Sequence, residues 1–155
     1  MTQQRPTPVP WPPILFAAAV AAAIILDRIY PLSWPGLDDR PARIAGYALG
    51  LAGAALSVWG ILTLIRARTT VLPNKAVDHL VTEGAFRFRR NPIYMGEVFI
   101  FLGLAQVTYN IWLAIVAPVF AAAILLLSIL PEERHLEARF GDEYREYKAR
   151  TRRWF

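Results

Sequence analysis

From Asn91 to Pro131 the chain runs 41 residues with one charged side chain, Glu97. That is too long for one membrane span and long enough for two, because a span needs about 20 apolar residues. Thr108, Tyr109 and Asn110 form a polar break near its middle. The run is therefore expected to fold as a tight transmembrane hairpin. Its ends carry Arg90-Asn91-Pro92-Ile93-Tyr94 and Glu132-Glu133-Arg134-His135-Leu136. Closing the hairpin brings these two polar motifs together at one membrane face.

Two more apolar stretches precede the hairpin. Ile14–Ile29 is flanked by Trp11 and Tyr30, spaced about 28 Å apart along a helix, close to the thickness of a bilayer core. Pro12 and Pro13 suit its first turn. Ile44–Ile65 is apolar throughout, and Gly46, Gly50 and Gly53 recur there at helical spacing. They give a smooth face for a neighbouring helix, in the same chain or in a second copy. The hairpin adds spans at about Pro92–Val107 and Ile111–Leu130. The expected fold is all-α: one domain over residues 1–155, a polytopic bundle of about four transmembrane helices with a cytosolic helical tail from 131 to 155. The first span is expected to stay on the protein, because its leader is proline-rich and has only Arg5 as a cation.

Charge sets the orientation. The segment from Arg66 to Asn91 holds six basic residues against Asp78 and Glu83, whereas the connection Asp27–Arg43 is balanced and the hairpin tip is uncharged. Positive-inside logic places both termini and the 66–91 connection in the cytoplasm, expected to be that of a bacterial inner membrane. The net charge of +5 then reflects contact with the anionic inner leaflet. No basic face exists apart from the membrane flanks, so nucleic acid is not an expected partner. The chain has no cysteine, which excludes disulfides and thiolate metal sites. His79 and His135 are isolated in sequence and form no metal motif.

The polar motifs admit local readings. Asn91 followed by Pro92 reads as a helix cap and first turn. Tyr94 and Glu97 share a helical face. Glu97 lies about 7 Å into its helix, where a carboxylate is costly unless it is paired, neutralised or facing a wet cavity. It is expected to serve function, or else to pair with Arg89 or Arg90. Glu132 and Glu133 after Pro131 read as the first turn of a new helix, with Leu136 on their face. Phe140-Gly141-Asp142 reads as a stop and a fresh cap, followed by a short amphipathic surface helix with Tyr144, Tyr147 and Lys148. Gly84 marks a turn or a close backbone approach to a ligand.

In order along the chain stand Leu80-Val81-Thr82-Glu83-Gly84-Ala85-Phe86-Arg87, Arg90-Asn91-Pro92-Ile93-Tyr94-Met95-Gly96, the hairpin, Glu132-Glu133-x-x-Leu136, and Phe140-Gly141-x-Glu143-Tyr144-x-x-Tyr147. This order, over about half the chain, resembles the superfamily of isoprenylcysteine carboxyl methyltransferases and phospholipid methyltransferases. Arg66-x-x-Thr69-Thr70-Val71-x-Pro73 and Arg152-Arg153-Trp154 are similar to its short bacterial members. The resemblance implies an integral-membrane enzyme that uses S-adenosyl-L-methionine on its cytosolic side and a lipophilic methyl acceptor entering from the bilayer. That acceptor is a prenylcysteine-like carboxylate, a phospholipid amine or a hydrophobic thiol. The resemblance implies cofactor contacts at Leu80, Val81, Gly84, Arg90, Asn91, Tyr94, Glu132, Glu133 and Leu136. Glu97 is the candidate catalytic residue. The family usually has His where Asn91 stands; Asn keeps a hydrogen-bonding side chain and loses the titratable ring. A small proton-coupled transporter using Glu97 is the competing reading. Against it stand the position of Glu97 near one interface and the long polar tail.

Overall fold

The computed structural model describes residues 11–36, 38–69 and 79–154. Thr70–Asp78, including Val71 and Pro73 of the basic connection, lie outside the described residues, as do residues 1–10. Among the described residues, six α-helices follow in order: α1 (Trp11–Ile29), α2 (Arg40–Arg66), α3 (Pro92–Thr108), α4 (Ile111–Ile124), α5 (Leu130–Phe140) and α6 (Asp142–Arg150). A short 3-10 turn, Gly84–Arg87, precedes α3, and a π turn, Leu125–Ile129, joins α4 to α5. There is no strand among the described residues; one isolated bridge pairs Arg89 with Arg152.

Among the described residues, three helical segments are long and apolar enough to cross a membrane: Trp11–Ile29, Arg40–Arg66 and Ile111–Phe140. The helix Pro92–Thr108 is apolar but shorter, at 17 residues, about 25 Å of helix and at the lower limit for a span. The protein is a helical membrane bundle. Its surface agrees: Leu51, Val119 and Leu126 are each more than 60% exposed, as lipid-facing side chains are. The core sits where α1, α3 and α4 meet, with Phe16, Phe101 and Phe120 in mutual ring contact.

The hairpin tip is built as its residues require. Tyr109 takes a left-handed conformation at the end of α3, and the Asn110 side chain accepts a hydrogen bond from Leu113 N–H to start α4. At the far end Pro131, Glu132 and Glu133 occupy the first turn of α5, as expected, but α5 runs on from α4 without a break. A proline inside a helix has no N–H to donate and crowds the carbonyl four residues back. The chain absorbs this by widening one turn: Leu130 N–H reaches back five residues to Leu125 O. The helix then continues to Phe140, where Gly141, at φ +54°, stops it. Asp142 is the first residue of α6, not its cap; its carboxylate pairs with Arg145.

The glycine face of α2 packs against α3 of the same chain. A Cβ on Gly53 would lie 2.5 Å from the Gly96 carbonyl oxygen, and one on Gly103 would lie 2.5 Å from Gly50 N. Backbones this close leave no room for a side chain, and dispersion along the seam replaces the hydrophobic drive that lipid cannot supply. Ser57 adds a hydrogen bond to Ile93 O at 3.1 Å. Gly103→Ala is expected to cost about 1–3 kcal/mol through overpacking. A Cβ on Gly50, by contrast, meets only Gly103 Cα at 3.8 Å, so Gly50→Ala is expected to be tolerated. Thermal unfolding of the two variants in detergent checks this; equal melting temperatures would contradict the seam.

Candidate active site

The end of the bundle that carries the N-terminus of α3, together with α5 and α6, holds the polar residues singled out in the sequence. At its centre is Glu133, a buried carboxylate. Arg90 Nε donates to its Oε1 at 3.2 Å, Arg153 Nε donates to the same oxygen at 3.0 Å, and Arg153 Nη2 donates to Oε2 at 2.6 Å. Burial alone would raise the acid's pKa, but the hydrogen bonds and charges of Arg153 and Arg90 outweigh it and hold Glu133 below the usual 4.5. Arg90 Nη1 also donates to Lys148 O at 3.1 Å and to Thr151 O. Its backbone N–H donates to Arg152 O at 3.0 Å.

Asn91 is the N-cap of α3 with Pro92 in its first turn, as expected, but its side chain makes no cap bond; its Nδ2 donates to Arg153 O at 3.2 Å. A neutral amide suits this place, because the neighbouring guanidiniums already balance Glu133. Tyr147, expected on a surface helix, is buried and donates its hydroxyl to Phe86 O at 2.6 Å. Burial raises the phenols of Tyr144 and Tyr147, and the charge of Glu133 adds to this for Tyr144, so both remain protonated donors. Arg90, Asn91, Glu133, Thr151 and Arg153 thus tie the start of α3, the start of α5 and the C-terminal tail into one closure.

Beside that closure lie carboxylates without cations. Tyr94 is buried and feels the charges of Glu132 and Glu97, which puts the three side chains in one neighbourhood. Neither Glu97 nor Glu132 forms an ion pair among the described residues, so Glu97 does not pair with Arg89 or Arg90. Arg89 donates instead to Phe88 O, and Arg90 is committed to Glu133. Oε2 of Glu97 is buried without a hydrogen-bond partner, as are Ser128 Oγ and His135 Nε2. Glu132 keeps part of its surface open yet is crowded by protein. Burial first, and then the charge of Glu133, push its carboxyl up to about 7. His135 is shifted the other way, below its usual value, by burial and by Arg139. Leu136 is half-buried on the next turn of α5.

Leu80, Val81 and Gly84 lie elsewhere. They line a cavity of about 430 Å3 against Trp59, Thr63 and Arg66 of α2, and its walls include none of Tyr94, Glu97, Glu132 or Glu133. Gly84, at φ +54°, makes the expected close approach, but to the Thr63 hydroxyl: a Cβ there would lie 2.6 Å from Oγ1. Sequence reasoning missed Ser128, Thr151 and Arg153. The Arg152-Arg153-Trp154 ending was noticed only as a family likeness, and nothing local marks Arg153 as a partner of Glu133.

The family model for phospholipid methyltransferases matches residues 41–143. The chain belongs to the phospholipid methyltransferase family. The matched region covers α2, the hairpin, α5 and the start of α6, which carry the carboxylate cluster and the Arg90–Glu133 part of the closure; Thr151 and Arg153 lie beyond it. The match is to a family of phospholipid methyltransferases and lends nothing to the transporter reading. The chain is also 46% identical over 43 residues, 28% of its own length, to an uncharacterized protein of Haemophilus influenzae, of which the match spans 65%. No solved structure matches the chain.

The lowered pKa of Glu133 sets a sign. Its ion pairs contribute stability that is fully present above the ordinary glutamate value of 4.5 and is lost as pH falls through the depressed value. Glu133→Gln is expected to cost roughly 1.5–3 kcal/mol at neutral pH and to flatten the decline in stability on the acid side of 4.5. Melting temperatures of wild type and variant from pH 3 to 8 check this; parallel curves would remove Glu133 from the closure.

Proposed function

We propose that this membrane methyltransferase takes its methyl group from S-adenosyl-L-methionine and passes it to a lipophilic acceptor that enters the hairpin from the bilayer. The site lies on the cytosolic side of a bacterial inner membrane, with both termini cytoplasmic, as the Lys/Arg distribution favours. The observation that carries the reading is the unpartnered Glu97 carboxylate oxygen, buried on the Tyr94 face between the two ends of the family's polar motifs. A carboxylate at that depth is costly unless it is neutralised, faces water or meets a partner, and a ligand would be such a partner.

The residues fit the cofactor. Its hydroxyl and amino groups need acceptors, and Glu132 is a carboxylate with no ion pair of its own beside the phenol of Tyr94. These two are the contacts we assign to it, with Leu136 as an apolar neighbour. Arg90, Asn91 and Glu133 serve it as the frame, since both oxygens of Glu133 are already taken by arginines. The sulfonium supplies a methyl group already activated toward nucleophiles. The protein's own work is alignment and the exclusion of water.

Among acceptors, an amine fits Glu97 best. A carboxylate acceptor would meet like charge there, and a thiolate likewise, whereas an ammonium would supply the missing cation. Glu97 would then take the proton from the acceptor nitrogen and free its lone pair, and the bound sulfonium would supply the methyl group, its carbon–sulfur bond breaking to leave a neutral thioether.

Tritiated methyl transfer into a total membrane-lipid extract, followed by identification of the product, tests the reading: label in an amine headgroup is expected, and label in an ester or thioether would overturn the amine assignment. Glu97→Gln is expected to bind S-adenosylmethionine near normally while turnover falls about 10²–10⁴-fold. Unchanged turnover would exclude Glu97 as the base. Because the Glu132 carboxyl is raised to about 7, its ionised fraction grows from pH 6 to 8. Cofactor affinity is expected to rise over that interval and, in Glu132→Gln, to lose the dependence. Calorimetry at each pH decides; a slope retained in the variant would point to another group.

A further inference from the structure

Four aliphatic hydroxyls stand on the described membrane helices, and three are satisfied. Ser57 donates to Ile93 O at 3.1 Å, Thr63 to Trp59 O at 2.8 Å and Thr108 to Leu104 O at 2.7 Å. The two threonines use the carbonyl four residues back, the usual refuge of a hydroxyl in a membrane helix. Ser128 is the exception: fully buried, with no partner for Oγ. It sits inside the π turn Leu125–Ile129, whose i+5 ring takes the preceding carbonyls out of α-helical register. Pro131 accounts for the π turn. It does not account for a serine there, since alanine would fill the same turn without a buried hydroxyl. An unsatisfied buried hydroxyl costs about 1–3 kcal/mol.

Two contacts bracket its position along the hairpin. The Phe101 and Phe120 rings meet at 5.1 Å in mid-bundle, and Arg90 meets Glu133 at 3.2 Å at the mouth. Tyr94 and Glu97 lie between those marks on one arm, and Ser128 lies between them on the other. Ser128 is one turn deeper than Glu132, as Glu97 is one turn deeper than Tyr94. By helical register, Tyr94 and Glu132 stand nearer the mouth, and Glu97 and Ser128 each lie one turn deeper on their own arm, Ser128 between the buried Ile124 and Ile129.

We propose that Ser128 is a positioning contact for the methyl acceptor: its hydroxyl, released from its own helix by the π turn, hydrogen-bonds the polar head of the lipophilic acceptor alongside Glu97. This rests on the methyltransferase reading above. The apolar surroundings at this depth, with Ile124 and Ile129 buried beside Ser128, suit a small head on a hydrocarbon chain better than the charged, water-soluble methyl donor. A hydroxyl both donates and accepts, so it serves an amine before and after Glu97 has taken its proton.

Ser128→Ala separates this from a structural role. Removing an orphan hydroxyl is expected to raise the melting temperature of the ligand-free full chain by about 2–4 °C, while KM for the acceptor rises roughly five- to tenfold and cofactor affinity stays unchanged. A lower melting temperature with KM unchanged would overturn the proposal. The chain has no cysteine, so Ser128→Cys carries the sole thiol, and its alkylation by N-ethylmaleimide in detergent gives a readout that needs no turnover. Dodecylamine is expected to slow alkylation at least several-fold, with dodecane and S-adenosylhomocysteine far less effective. Protection by S-adenosylhomocysteine alone would assign Ser128 to the cofactor, and no protection by dodecylamine would remove it from the acceptor site. Calorimetry of S-adenosylmethionine on wild type tells the two failures apart: binding retained with no dodecylamine effect sinks only the Ser128 assignment, and no binding sinks the methyltransferase chemistry itself.

Discussion

The closure around Glu133 governs the geometry of everything else at this end of the bundle. One carboxylate accepts hydrogen bonds from Arg90, at the start of α3, and from Arg153, in the tail. Those two guanidiniums come from segments more than sixty residues apart in sequence. Breaking such a pair by removing one partner leaves an uncompensated charge in a partly dry site. The two arginines and the acid therefore act as one unit. Asn91 and the Arg90 N–H extend the unit into a short zipper with the tail carbonyls. The tail that looks in sequence like a surface helix becomes a wall, with Tyr144 and Tyr147 buried behind it.

The π turn complements this closure. One extra residue in a helix rotates all that follows by about 100°. Here the rotation precedes Glu132 and Glu133, and what results is a Glu133 directed at two arginines while Glu132 stands near Tyr94. The adjacent carboxylates thus divide their tasks by environment: one is held ionised by cations, and the other is raised toward neutrality by burial and by its neighbour. On the opposite side, the glycine seam of α2 and α3 fixes α3 tightly, so Tyr94 and Glu97 project from a rigid helix.

Much of this was legible in the sequence because charge and hydropathy are properties of single segments. The uncharged run around Glu97 forecast the hairpin, and the polar break at Thr108-Tyr109-Asn110 became its tip. The spacing of Gly46, Gly50 and Gly53 forecast a close helix contact, though not that the partner would be α3. What stayed hidden depends on tertiary partners. Pro131 reads locally as a helix boundary, and the widened turn before it, with Leu130 N–H reaching back to Leu125 O, lets the helix run on. Asn91 has the signature of a cap, and a tail carbonyl captures its side chain instead. Gly84 meets Thr63, and nothing in either segment names the other. Ser128 is one polar residue in a long apolar run, and its isolation is visible only when its neighbours' hydrogen bonds are known.

The central claim is that the methyl donor lies at the cytosolic mouth of the hairpin, between the Tyr94 face of α3 and the start of α5. Ultraviolet cross-linking of tritiated S-adenosylmethionine to the full chain, followed by peptide mapping, locates the donor without assuming an acceptor. Label is expected in the peptides that contain Tyr94 and Glu132. Label confined to the cavity between α2 and Leu80–Gly84, or no specific label at all, would contradict the account.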